Sequence, residues 1–333
     1  MMKVGTTPIL SSKEIVERLQ VAVHSKALNR YYAMYSSILG GIITNLEFMV
    51  LPIDDHMVHR GHGVFDTAIV ANGYAYQLDQ HLDRFLRSAE MARITPTFPR
   101  DRLREIILDT IAATGKRDTS VRYWLSPGPG GFDLSPDECV RSSFFVMIYA
   151  PPEYPPSYYT EGLKVITSSI PIKSPYFSRV KSNNYLPNVL LVMEAREKGA
   201  HNGIFLDQRG MVGEGPAMNV AFVTKDKVLK HPKFDGILSG LTALRVLELA
   251  KTLVERGELK DIVVGDISVE EGRAAAEMMF LGSTLRVTPI VEWDGKPIGD
   301  GKPGPIAKAL LELLKQDLIS GEGQLIPVPY PEM

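Results

Sequence analysis

The sequence predicts an α+β protein of two domains. Three observations carry this. Stretches with apolar residues at helical spacing are mixed with short apolar runs, without a regular β–α–β alternation. The 333 residues suit two domains of about 100–200 residues each. Pro151-Pro152-Glu153-Tyr154-Pro155-Pro156 places four prolines in six residues, which stops both helix and central strand. The expected division is therefore a smaller N-terminal domain over residues 1–150, a proline-rich linker over 151–160 and a larger C-terminal domain over 161–333.

Residues 12–28 read as a helical extension, with Ser12 as cap and Ile15, Val16, Leu19 and Val23 at helical spacing. Hairpins are expected around Gly40-Gly41 and around Asn72-Gly73, the second more strongly because both turn positions tolerate positive φ. Two helices follow, one from Asp79 presenting Leu82, Phe85, Leu86 and Ala89, the other near Asp101–Ala113 and ended by Gly115. Strands at Val121–Ser126 and Ser143–Tyr149 bracket a Gly/Pro loop. Beyond the linker come a strand at Leu163–Ser168 and a helix near Asn188–Lys198, with Pro187 at its start and Gly199 past its end. Strands at Ile204–Asp207, Val220–Thr224 and Val228–Lys230 precede a helix at Leu241–Glu255. Then come a strand at Asp261–Gly265, a capping box at Ser268–Glu271, strands at Met278–Leu281 and Val287–Trp293, and a last helix near Ile306–Leu318.

Composition excludes several classes. The 37 basic and 39 acidic residues leave a net charge of −2, so no global pull toward nucleic acid exists. No apolar run approaches the ~20 residues that span a bilayer. No signal-peptide core follows the N-terminus, and a cytoplasmic location is expected, although a trimmed organelle-targeting peptide is compatible with the sequence. The single cysteine, Cys139, rules out an intrachain disulfide framework. Dinucleotide, Walker, nucleophile-elbow and H-E-x-x-H motifs are all missing.

Five features can carry chemistry. His56, His59 and His62 lie within seven residues. They invite a metal reading, but no carboxylate or cysteine pattern completes a shell, so no metal is expected and a pocket-lining or hydrogen-bonded loop is the alternative. Lys181, among Asn183, Asn184 and Tyr185, suits a Schiff-base amine if its site is partly desolvated; a solvated loop lysine is the competing reading. Glu214 stands between Gly213 and Gly215, where the backbone can approach a flat ligand, or it is an exposed turn glutamate. Gly236–Thr242 opens a helix whose free N–H groups suit a phosphate, or form a plain N-terminus. Gly282-Ser283-Thr284 is a second hydroxyl-bearing turn. Taken in order, these supply a covalent anchor, a pyridinium partner and phosphate donors, the parts that pyridoxal 5'-phosphate needs.

These motifs resemble those of the class IV pyridoxal-phosphate aminotransferases, a family that includes branched-chain aminotransferases, D-amino-acid transaminases and aminodeoxychorismate lyases. The likeness spans most of the chain after residue 34 and rests on K-S-N-N-Y-L-P-N from Lys181, E-G-P-A-M-N-V-A-F-V-T from Glu214, L-S-G-L-T from Leu238, L-G-S-T from Leu281 and T-P-I from Thr288. M-V-H-R-G-H-G-V-F-D-T and Y-W-L-S-P-G-P-G make the plant-type D-amino-acid transaminases the nearest resemblance. The resemblance implies a two-domain fold type IV PLP-enzyme and a homodimer. It implies Lys181 as the Schiff-base lysine and Glu214 as the partner of the pyridine nitrogen. Arg84, Leu241, Thr242, Ser283 and Thr284 match the phosphate or carboxylate contacts, Tyr185 lies near the ring hydroxyl, and Asn219 is structural.

Two positions depart from the bacterial D-amino-acid enzymes, which carry a tyrosine where Phe65 stands and an arginine where Pro127 stands. Arg122 instead matches an arginine of the branched-chain enzymes. Arg122, or the His59–His62 loop, is therefore the expected binder of the substrate carboxylate, beside Phe65. The function implied is ping-pong transfer of an amino group between a D-amino acid of the alanine, glutamate or aspartate type and a 2-oxo acid. Aminodeoxychorismate lyase and branched-chain L-amino-acid transaminase remain alternatives, and a phosphate-binding protein without chemistry is the non-enzymatic one.

Overall fold

Turn chemistry sets much of the local architecture. In the computed structural model, which describes residues 2–25 and 30–332, Asn72 and Gly73 both adopt positive φ, 52° and 85°. They reverse the chain between strand Val64–Ala71 and the short strand Tyr74–Tyr76. Gly40, at φ 70°, closes the hairpin in which Ser36 pairs with Gly41. The first helix runs Ser12–Ser25; residues 26–28 of its predicted span lie outside the described residues. Its cap is Ser11, not Ser12. The Ser11 hydroxyl accepts from Glu14 N–H while Glu14 accepts from Ser11 N–H at 2.9 Å, a reciprocal box that needs the acid three residues on.

The chain divides into two compact units, one of residues 1–75, 94–151 and 327–333, the other of 76–93 and 152–326. One passage between them falls at residues 151/152, inside the proline-rich stretch, and the others lie far from it. The segment 76–93, carrying helix Leu78–Met91, thus belongs with the C-terminal residues.

In the first unit, strands Val64–Ala71, Thr119–Ser126, Ser143–Tyr149, Tyr31–Ser36 and Gly41–Ile43 lie side by side, antiparallel throughout. Helix Arg100–Ala112 packs on this sheet through Leu103, Ile107 and Ile111. The histidine stretch, expected as a loop, contains a turn of helix at His56–Arg60. Asp55 starts it by accepting from Met57 N–H at 3.0 Å, and Gly61 ends it in the left-handed region.

The second unit is built on a mixed sheet in the order Asn202–Ile204, Leu163–Thr167, Arg286–Trp293, Glu277–Gly282, Asn219–Val223, Val228–His231 and Asp261–Val264. Its central strands are buried on both faces, so they read as continuous apolar runs. Ala221, Val223, Met279 and Leu281 pack under helices Leu241–Glu255 and Pro305–Ser320. Val220, Phe222, Met278 and Phe280 point the other way, onto Trp293 and Ile290. Glu277 anchors the last helix: its carboxylate accepts from Ile306 N–H at 3.0 Å and Ala307 N–H at 2.8 Å. Glu277→Ala leaves two buried N–H groups without an acceptor. It should lower unfolding free energy by about 2–3 kcal/mol, read from urea denaturation. Unchanged stability would show that water replaces the carboxylate.

Candidate active site

The second unit holds a partly closed cavity. Its lining includes Arg84, Lys181, Tyr185, Glu214, Leu241, Thr242 and Ser283, residues far apart in sequence and brought together by the sheet and three helices.

Lys181 lies on the segment that feeds helix Leu186–Glu197, where Pro187 sits in the first turn. Its backbone N–H donates to Ser88 Oγ at 3.2 Å, which ties the segment to helix Leu78–Met91. The Lys181 ammonium donates to the Tyr185 hydroxyl at 3.5 Å.

Glu214 is fixed by a turn just before strand Asn219–Val223. Gly215 N–H donates to Met218 C=O at 2.8 Å, and Phe205 N–H to Glu214 C=O at 2.8 Å. Its carboxyl is buried, accepts from Leu238 N–H at 3.2 Å and faces the Asn219 amide at 3.5 Å. Burial pushes the Glu214 carboxyl up to about 7; the Leu238 N–H and the charges of Lys173 and Lys181 pull against that rise. An exposed turn glutamate is therefore excluded. Asn219 also donates to Leu238 C=O at 3.0 Å, so it clamps the Glu214 turn to the 236–240 loop. This gives physical content to its structural assignment.

The phosphate-type features meet on another wall. Helix Leu241–Glu255 starts at Gly240, which offers no side-chain cap, so the first-turn N–H groups of Leu241 and Thr242 are left for a ligand. Arg84 is buried, and its guanidinium donates to Ser239 C=O at 3.1 Å, just before that helix start. Buried cation and helix N-terminus thus converge, a donor set that fits a dianion. Gly240 is required by close packing: a Cβ there would lie 1.9 Å from Asn219 Oδ1. Ser283 lines the cavity, whereas the Thr284 hydroxyl meets the Tyr154 hydroxyl at 2.9 Å.

The remaining predicted residues lie in the first unit. Phe65 and Arg122 are on paired strands, and the Arg122 guanidinium sits over the Phe65 ring at 5.2 Å while its Nε donates to Thr67 Oγ1 at 2.9 Å. His56 is buried, and its Nδ1 lies 3.0 Å from His62 Nδ1. Burial, then the neighbouring His62, holds the His56 imidazole below its usual range. The His59 ring packs against His56 and Phe132, each with centroids 5.1 Å apart. Among the described residues no group of three or more His, Cys, Asp or Glu side chains is placed to hold a metal ion.

Asn188 and Lys173 line the cavity without a role assigned from the sequence. Asn188 donates from its amide to Pro216 C=O, joining the helix after Lys181 to the glutamate turn. Its place in the first turn of that helix gave no signal. Lys173 lines the cavity with its ammonium 4.8 Å from the centre of the Tyr185 ring. Pro171 and Pro175 flank it in a segment to which the sequence assigns no element.

Comparison with known proteins places the chain in a family. The model of the family described as amino-transferase class IV matches residues 63–293. The chain is 52% identical over 325 residues to the chloroplastic D-amino-acid transaminase of Arabidopsis thaliana, covering 97% of this chain and 86% of that protein. It is 27% identical over 276 residues to the D-alanine aminotransferase of Bacillus licheniformis, covering 80% of this chain and 92% of that one. Among solved structures, the T.th. branched-chain amino acid aminotransferase with pyridoxamine 5'-phosphate superposes with a TM-score of 0.83 at 25% identity, over 90% of this chain and 99% of that one. With a buried carboxyl, a cavity lysine and an arginine-flanked helix start in place, and the family model covering the residues that carry all three, the chain belongs to the class IV aminotransferases.

Proposed function

We propose that the protein is a D-amino-acid transaminase that moves an amino group between a D-amino acid of the alanine, glutamate or aspartate type and a 2-oxo acid, with pyridoxal 5'-phosphate as cofactor. The observation that carries the reading is the single cavity joining Lys181, buried Glu214 and the Arg84–Gly240 phosphate wall. The identity to the Arabidopsis D-amino-acid transaminase supports the choice of D-substrates.

When bound, pyridoxal 5'-phosphate draws electrons from the substrate Cα and carries the amino group between the two half-reactions. Lys181 would hold it covalently, and its amine, when free, would move the proton at the substrate Cα. Glu214 would face the ring nitrogen, its carboxylate stabilising a proton there. Arg84, Ser283 and the Leu241 and Thr242 N–H groups would hold the phosphate. The Tyr185 hydroxyl, beside Lys181, would orient the amine. Thr284 would act through Tyr154, shaping the Ser283 turn.

For the substrate half, Arg122, Phe65, His59 and His62 are the proposed carboxylate and side-chain contacts. Arg122→Ala should raise KM for D-alanine about tenfold to a hundredfold, the worth of a charge-assisted pair, with cofactor content unchanged. An unaltered KM would move the role to the histidines. Steady-state assays with D- and L-alanine, D- and L-glutamate, D-aspartate, L-leucine and aminodeoxychorismate test the reaction. D-donors with 2-oxoglutarate should dominate. Dominant L-leucine transfer, or release of p-aminobenzoate and pyruvate, would overturn the reading.

A homodimer working in the cytoplasm is the assembly proposed. No helix among the described residues is long and apolar enough to cross a membrane. Sedimentation equilibrium and imaging of the tagged chain test both points, with plastid import as the competing result.

A further inference from the structure

Lys173 is a cation without an assigned purpose. It lies eight positions before Lys181, in the segment between strand Leu163–Thr167 and the turn of helix at Pro175–Ser178. Among the described residues no carboxylate pairs with its ammonium, which instead rests over the Tyr185 ring. The same phenol meets the Lys181 ammonium at its hydroxyl. Two amines therefore address one tyrosine from two sides within one partly closed cavity. The titratable and charged groups lining that cavity are Arg84, Lys173, Lys181, Tyr185 and Glu214; Lys173, whose charge also bears on Glu214, is the one given no role of its own above.

We propose that Lys173 is a positioning residue whose charge keeps the Lys181 amine in its neutral, nucleophilic form and whose cation–π contact holds Tyr185 against it. A protonated lysine cannot attack an aldehyde, so the anchor must lose its proton near neutral pH. A like charge sharing a partly dry cavity favours that loss by about one pH unit. Arg84 adds to the field but is turned toward Ser239, and Glu214 opposes it, so Lys173 is the cation that tips the balance at Tyr185. Cation–π contact with the ring adds a geometric restraint that a solvated lysine would not provide.

This inference rests on Lys181 being the covalent anchor. The test is the rate at which cofactor-free protein captures pyridoxal 5'-phosphate covalently, followed against pH by borohydride trapping and mass spectrometry. Parent and variants are compared at the same pH values, so titration of the ligand affects all of them alike. Lys173→Met should move the rising limb up by about one pH unit, slowing capture about tenfold at neutral pH. Lys173→Arg should restore the parent profile, and the shift should persist in a Glu214→Gln background. Superimposable profiles for parent and Lys173→Met would overturn the inference, as would a shift that vanishes once Glu214 is neutral. Loss of anchoring is read separately. If Lys181→Ala still captures the aldehyde at the parent rate, the reading of Lys181 fails, whatever Lys173 does. Matching thermal melts of parent and Lys173→Met exclude a folding defect as the source of a shift.

Discussion

Lys181→Ala should abolish covalent cofactor capture and lower turnover by at least about a thousandfold. Two losses combine. The proton shuttle at Cα disappears, which for general acid–base catalysis is worth about 10²–10⁴. The covalent anchor disappears as well, so binding rests on the phosphate wall and Glu214 alone. The fold should survive, because the side chain is only half-buried and its backbone N–H still donates to Ser88. The measurement is steady-state turnover with D-alanine and 2-oxoglutarate, together with the mass of the borohydride-treated protein. Parent-level turnover in a folded Lys181→Ala protein would remove the lysine from the mechanism.

If Glu214 faces the cofactor's ring nitrogen as proposed, Glu214→Gln should lower turnover by about a hundredfold or more, because a preorganised charge is lost. The same residue makes a prediction for the cofactor-free protein. Its carboxyl starts at 4.5 and burial raises it to about 7, so the folded state holds this proton more tightly than the unfolded chain does. That contribution to stability is fully present below pH 4.5 and is lost as pH rises through 7. The loss amounts to roughly 3 kcal/mol at pH 8. Glutamine mimics the protonated carboxyl. Cofactor-free Glu214→Gln should therefore match the parent near pH 4.5 and melt higher at pH 8. A Glu214→Gln protein that melts below the parent at pH 8 would mean the carboxylate is satisfied without cofactor.

Local chemistry made several elements legible. Asn72-Gly73 needed positive φ at both positions and has it. Helix Leu241–Glu255 begins and ends where its apolar spacing and glycine approach place it. Strand Ser143–Tyr149 is another such case. Misreadings arose where two local solutions compete. Ser11 and Ser12 are both competent caps, and the position of Glu14 selects Ser11. The histidine stretch carries no apolar period, so Asp55's capping of Met57 was invisible as a helix start.

Motif order nominated the cofactor half of the site: Lys181, Glu214, Leu241, Thr242 and Ser283 were all named from their sequence neighbours, and Arg84 from the family resemblance. Periodicity and turn residues act within a few positions, so they fix elements and nominate side chains. Burial and mutual distance depend on which elements pack together. Only the tertiary structure grouped helix Leu78–Met91 with the C-terminal residues, placing Arg84 beside Ser239. It alone buried Glu214 deeply enough to raise its carboxyl, turned Thr284 toward Tyr154, and set Lys173 over the Tyr185 ring. Those are long-range facts, because desolvation and cation–π contact are properties of the space around a side chain and not of its neighbours in sequence.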